Sequence, residues 1–467
     1  VINPNQDGID ALAVGDLDND GRLDIVTGNR LDDKLIWHKS TLLSNQIIGD
    51  VNFDSTGNGC NGNNSNISNV LIETSNGVES YSTFTNLAGN YYFFVGEDEF
   101  TTQMVSGIPN YFSISPNSYV SNFVGVGNID EANFCIEPSA TVNDLNIALY
   151  PLSDARPGFD ASYQLVYKNL GTTTLSGTIE LIFNSDKLSI LEASEPVASQ
   201  TGDSVTFDYV DLAPFEYRAI TISFNVAAPP TTEIGDILVF EATVNPVVGD
   251  ETEEDNVFEF EQTVIGSYDP NDIQVLEGDE IFLNEADDYL HYIIRFQNTG
   301  TASAINVRVT NELDPNLDWT TMQLENISHS NRVEITDGSS VEFIFENINL
   351  PDATTNEPES HGYIQYKIKP ISTVDIGDSM ANNANIYFDF NPPILTNTVT
   401  TTIIENLGTE NYAFNGFKLY PNPSKDLVNI KSTQSVMEIE ITNQIGQVIS
   451  QIKNKEGINT FSIENLP

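Results

Sequence analysis

Cysteine is nearly absent from this chain: Cys60 and Cys135 are the only two in 467 residues. That excludes a small disulfide-dense scaffold and a cysteine-based zinc cluster. Histidine is almost as sparse, with four residues, His38, His291, His329 and His361. None lies in a His-Glu-x-x-His pattern or at metal spacing from a second His or Cys. Basic residues are few: Lys and Arg number 18 against 68 Asp and Glu, for a formal charge of −50. So acidic a surface repels phosphate backbones and anionic headgroups, which excludes nucleic acid and membrane surfaces as partners. No apolar run approaches the roughly 18 residues that read as a transmembrane segment, so none is expected. Gly-x-Ser-x-Gly and Gly-Lys-Ser/Thr are missing, and Gly125-Val126-Gly127 has no βαβ context. Carboxylate pairs are too common here to mark a glycosidase. The expectation is a non-enzyme.

What remains is strand and turn. Short alternating runs of Val, Ile, Tyr and Phe lie between Gly-, Pro- and Asn-rich turns, and no amphipathic helix exceeds two turns. This predicts an all-β chain of several modules: tandem β-sandwiches, Ig-like or prealbumin-like, after a partial β-propeller blade. The boundaries read as 1–40, 46–138, 140–265, 266–405 and 412–467. Val1-Ile2-Asn3-Pro4 carries neither a basic start nor an apolar signal core. The expectation is a piece of a longer exported protein.

The first module carries the densest candidate site. The strand Ala11–Val14 leads into Gly15-Asp16-Leu17-Asp18-Asn19-Asp20-Gly21-Arg22-Leu23-Asp24 and the strand Ile25-Val26. Side-chain oxygens of Asp16, Asp18, Asp20 and Asp24, with the Arg22 carbonyl, form the hard-oxygen set that Ca²⁺ takes. An EF-hand would place Glu where Thr27 stands and flank the loop with helices, so this is another kind of loop. The competing reading is an acidic turn that binds nothing. The stretch from Asp16 to Trp37 resembles the FG-GAP/VCBS-type repeat, which implies a propeller blade with calcium in the loop and neighbouring blades upstream.

The second module runs from Ile47–Phe53 through a Gly/Asn-rich loop to Val70–Ile72 and a hairpin at Thr85–Tyr91. It resembles the carboxypeptidase-regulatory-like and SdrD B-like modules, prealbumin-type sandwiches that act as spacers. Cys60 and Cys135 bracket it and read either as a disulfide, in an exported chain, or as two unrelated buried thiols. Asp50 and Asp54 offer an incomplete set for a second calcium.

The third and fourth modules repeat one pattern. Tyr163-Gln-Leu-Val-Tyr-Lys-Asn169-Leu-Gly171-Thr172 matches Tyr292-Ile-Ile-Arg-Phe-Gln-Asn298-Thr-Gly300-Thr301, each a strand ending in a turn where Gly is expected to supply positive φ. Gly235-Asp236 and Gly377-Asp378 each open a later strand. Two tandem Ig-like sandwiches follow, with His291 read as a surface or cross-strand residue and Ser328-His329 as loop. Ser267–Asp272, His291–Gly300 and Ala384–Pro393 resemble the conserved-repeat (DUF11-like) domains of exported bacterial surface proteins, which implies a stalk or display role.

After a polar linker near Glu405–Asn411 comes Phe417-Lys418-Leu419-Tyr420-Pro421-Asn422-Pro423, then short strands and a hairpin turn at Thr442–Gln447. Tyr420, Pro421, Asn422 and Pro423 with this hairpin resemble the type A C-terminal sorting domain of type IX (Por) secretion cargo. The resemblance implies export across the outer membrane of a Gram-negative cell by the type IX translocon. It also implies loss of this domain, then release or attachment to surface lipopolysaccharide. That family usually closes with a Gly-x-Tyr strand and a basic tail, which lie beyond Leu466-Pro467, a second reason to expect a truncated chain. Two functions follow: a surface or extracellular protein for adhesion or for binding a glycan or protein ligand, or accessory modules of a secreted hydrolase.

Overall fold

The computed structural model describes residues 9–15, 24–29, 34–38 and 44–405, except 58, 61–63, 106–107 and 267–268, and the strands between 417 and 464. The chain forms two compact units, Val1–Glu405 and Asn406–Pro467. Apart from two short 3₁₀ turns, every described element is a strand.

The larger unit opens with an antiparallel meander of Ile9–Gly15, Asp24–Asn29 and Lys34–His38. Three sandwiches follow. In the first, Asn45–Phe53 pairs antiparallel with Asn90–Val95 and parallel with Ile129–Glu131 and Phe134–Pro138. Period-two patterning drives this layer. Along Asn90–Val95 the residues alternate exposed and buried, so Tyr91, Phe93 and Val95 enter the core while Tyr92 and Phe94 point out. Each such fully buried apolar side chain contributes about 1.5–3 kcal/mol.

The second and third sandwiches share a plan. Asp160–Asn169 and Leu290–Gln297 each sit inside a four-stranded sheet. Asn169 donates from Nδ2 to the carbonyls of Thr173 and Leu212 and accepts the Gly171 N–H. Asn298 does the same with Ala302, Leu350 and Gly300. The later turns match as well: Asp236 accepts the Glu233 N–H and Asp378 the Asp375 N–H, with Gly235 and Gly377 both at φ +94°. The glycines after the two asparagines differ from expectation, since neither adopts positive φ. Gly171 is required by close approach instead: a Cβ there would lie 2.6 Å from the Val142 carbonyl oxygen.

The sandwiches pack side by side, each against the other two. Ser80–Phe84 of the first pairs with Arg332–Thr336 of the third, joining their sheets into one of nine strands. The edge strand of the third sandwich is thereby covered rather than left open for aggregation. Phe215 of the second inserts beside Phe53 and Phe112 of the first, at ring-centroid distances of 5.4 and 4.7 Å. Between the second and third, Ala148, Tyr150, Val166 and Ile293 form a separate small core. Leu145–Pro151 and Leu290–Gln297 are consequently buried at every position.

The smaller unit contains a sheet of Phe417–Tyr420, Leu427–Ser432 and Thr460–Glu464 and a hairpin of Glu438–Thr442 with Val448–Lys453.

Candidate functional site

The calcium reading rests on a loop that falls outside the described residues: Asp16, Asp18, Asp20 and Arg22 cannot be placed, and of Asp24 only the backbone is described. The flanking backbone is clear. Gly15 faces Asp24 across an antiparallel pair, so residues 16–23 connect two adjacent strands. Of the sorting motif, Tyr420 ends the strand Phe417–Tyr420, and Pro421, Asn422 and Pro423 lie outside the described residues.

Cys60 and Cys135 are joined in a disulfide. Asp54, 1 % exposed, organises the loop that leads to it: Oδ1 accepts from the Thr56 N–H and hydroxyl, and Oδ2 from the Cys60 N–H. Asp54 is thus committed to the loop. Asp50 lies in the preceding strand, where its N–H donates to Asn133.

Of the histidines, His291, His329 and His361 are held in structural contacts. His291 is buried, not on the surface: its Nδ1 meets Glu277 Oε1 at 2.7 Å and its ring packs edge-on against Tyr150 and Phe258. The neighbouring sandwich covers the face that strand alternation would have left in solvent. His329 Nδ1 meets Ser328 Oγ at 2.8 Å, and that hydroxyl accepts the Tyr363 N–H, so the pair ties a loop to a strand. His361 sits between Gln297 and Glu357.

The charged groups concentrate where the sandwiches meet. Lys168 of the second places Nζ 2.6 Å from Glu325 Oε1 of the third, and Lys367 lies 3.5 Å from the same oxygen. Glu325 is fully buried. Burial alone would raise its carboxyl, but the two ammoniums hold it down at about 2. Arg295 of the third lies between Asp272 of its own sheet and Asp154 of the second. Both groups join the second sandwich to the third, and each buried charge has an opposite charge beside it.

A third group forms at the junction of all three. Asp144, Asp250 and Asp255 each bring a carboxylate oxygen within 4.8 Å of the other two. Tyr111 of the first sandwich donates to Asp144, the Leu145 N–H donates to Asp250, and Lys367 reaches in through Asn146. Burial first, and the neighbouring carboxylates second, push Asp144 up to about 6 and Asp255 up to about 7. Carboxyls that keep their protons in the folded state favour folding at low pH. Their contribution is full below about pH 4 and is lost as pH rises through about 6 and 7. The double variant Asp144→Asn/Asp255→Asn is therefore expected to gain stability relative to wild type between about pH 5 and pH 8. Thermal melts across that range check it; a constant difference would refute the assignment.

The junction residues were invisible to motif reading because their partners come from different sandwiches: Lys168 and Glu325 are 157 residues apart. The same holds for a groove at the seam between the first and third sandwiches, lined by residues 83–88, 90–92, 324 and 326–333 with Asn69 and, from the second sandwich, Tyr217. Of its lining, the sequence marked only the Thr85–Tyr91 hairpin and the Ser328-His329 loop, with nothing to join them.

Among the described residues no helix is long and apolar enough to cross a membrane. No curated protein matches the chain. Solved structures with some likeness include a CARDB domain from Pyrococcus furiosus, 22% identical over 27% of this chain and 98% of its own, with a TM-score of 0.19. The collagen adhesin of S. aureus is 11% identical over 57% of this chain and 93% of its own, with a TM-score of 0.20. The major pilin subunit of Bacillus cereus is 10% identical over 90% and 95%, with a TM-score of 0.19. Likenesses this low bear on neither architecture nor function. Two family models match parts of the chain. Residues 269–402, the third sandwich, match a domain of unknown function, DUF7619, and residues 418–467 match the secretion system C-terminal sorting domain. The chain is a secreted or cell-surface cargo protein that carries, at its C-terminal end, the sorting domain of type IX secretion.

Proposed function

We propose that this chain is a non-catalytic binding protein of the cell exterior, which the type IX translocon exports and which holds a glycan or protein ligand on its sandwich body. The sorting domain at 418–467 is the observation that carries the reading. The engagement of His291, His329, His361 and Ser328 in holding loops and strands supports a non-catalytic role. After export, the sorting domain is removed and the body is released or attached to surface lipopolysaccharide. In producing cells lacking a translocon component, the protein should be retained in the periplasm. Unchanged appearance outside such cells would overturn the reading.

The N-terminal segment adds a calcium-binding repeat of the FG-GAP/VCBS kind, a propeller blade with Asp16, Asp18, Asp20, the Arg22 carbonyl and Asp24 as ligands. Strands on both sides of the loop support it, because this repeat places its loop between strands. A ligand that binds only the folded state stabilises it in proportion to the logarithm of its concentration over Kd. Millimolar Ca²⁺ should therefore raise the melting temperature of the first transition, and Asp20→Ala should remove the shift. Equal shifts in the two proteins would sink this site.

A further inference from the structure

The groove between the first and third sandwiches has a composition at odds with the rest of the molecule. In a chain with 68 acidic residues, not one Asp or Glu among the described residues lines it. Its walls mix amides, hydroxyls and aromatic rings with the aliphatic Leu87, Leu324, Ile327 and Val333, placing Asn86, Asn90 and Tyr92 on one side and Asn326, His329 and Asn331 on the other. Its volume is about 560 Å³, within the usual range for small-ligand sites of roughly 300–1,000 Å³.

The groove is held open by structure rather than by a mobile loop. Ser80–Phe84 and Arg332–Thr336 pair as neighbouring strands beneath it, and the Thr83 hydroxyl donates to the Val333 carbonyl at 2.6 Å. The turn at its rim is fixed too, since Asn86 Oδ1 accepts the N–H groups of Ala88 and Asn90. A preformed site loses little entropy when it binds.

Its chemistry discriminates among ligands. A basic peptide would find no carboxylate in the lining. An anionic ligand would approach a molecule of formal charge −50. The groove's one guanidinium, Arg332, is already paired with Glu334. A wholly apolar segment would strip water from the exposed Asn90 amide and Tyr92 hydroxyl, at about 1–3 kcal/mol each. Burial lowers the His329 pKa, so with Nδ1 held by Ser328 the imidazole adds one neutral ring nitrogen, Nε2, rather than a charge. What remains is a ligand rich in neutral hydroxyls with apolar C–H faces. Amides pair with adjacent hydroxyls, and an exposed ring offers a flat platform. Tyr92 is 42% exposed, stands edge-on to the equally outward Phe94 at 5.5 Å, and is backed by the Arg332 guanidinium at 5.7 Å.

We propose that this groove, with Tyr92 as its stacking platform and Asn90 and Asn331 as polar contacts, binds an uncharged polysaccharide. The inference rests on the binding-protein reading and gives it a site and a ligand class. The test is affinity electrophoresis of the full chain through gels containing neutral polysaccharides (glucans, xylan and mannan), with alginate and heparin as acidic comparisons. At least one neutral polymer should retard the chain and both acidic ones should not. Tyr92→Ala should weaken that retardation about tenfold, the effect of losing about 1.4 kcal/mol of stacking. Asn90→Ala should weaken it by a smaller factor. Both side chains point outward, so the melting temperatures should stay at the wild-type value, and an unchanged melt excludes loss of fold as the cause. Retardation by a neutral polymer that persists in Tyr92→Ala would remove this groove from the account and leave the binding-protein reading standing. Failure of every neutral polymer, or retardation by the acidic ones alone, would overturn the ligand class.

Discussion

Replacing Glu325 with alanine is expected to destabilise the Val1–Glu405 unit by roughly 3–5 kcal/mol. The carboxylate is fully buried and holds Lys168 and Lys367 at 2.6 and 3.5 Å. Without it, two ammoniums from two sandwiches face each other in a dry interface with no carboxylate paired between them. The desolvation cost of those charges, more than the lost attraction, sets the size of the effect. The triple variant Lys168→Met/Glu325→Leu/Lys367→Met removes charge and cost together and should recover most of the loss. Denaturant unfolding of the three proteins tests this, and a loss under about 1 kcal/mol for Glu325→Ala would contradict the buried lock. A carboxyl held below its ordinary range also implies a pH window. Glu325 stabilises the fold above about pH 4.5, and that contribution is lost as pH falls through about 2.

The second large effect is expected from the disulfide. Cys60 and Cys135 close a separation of 75 residues, for which chain-entropy reasoning gives about 4 kcal/mol. The Cys60→Ser/Cys135→Ser variant should melt well below wild type, and reductant should bring wild type down to the same temperature. A thiol count of two in the unreduced, denatured protein would contradict the bond. Asp54→Ala should weaken the same loop by a smaller amount. It frees the N–H of Cys60 but leaves the covalent link intact.

Local patterns were legible in sequence where one strand face meets water. The alternating strand Ile47–Phe53 does send Ile47, Val51 and Phe53 into the core, and the Asn169 and Asn298 turns reveal the repeated plan of two sandwiches because each side chain bonds within its own neighbourhood. Patterns failed where a second sandwich covers the other face. Leu290–Gln297 reads as half-exposed yet is buried throughout, which also misplaced His291. The glycines of the Asn-x-Gly-Thr turns were recognised as turn residues, but for the wrong reason: Gly171 avoids the Val142 carbonyl rather than adopting positive φ. The spacer-like resemblance carries no sign that Phe215, Lys168 and Thr83 each reach into a neighbouring sandwich. Such contacts join residues too distant in sequence for any local motif to carry them. The groove belongs to the same class, because its two walls come from residues 83–88 with 90–92 and from 324 with 326–333.

The account turns on the sorting domain, and removing it is the most direct test. An antiserum raised against residues 45–405 would follow the protein in producing cells that express it with and without residues 418–467. With the domain, the protein should be found at the cell surface or in the medium; without it, the protein should be folded and confined to the periplasm. Equal export of both forms would contradict the account.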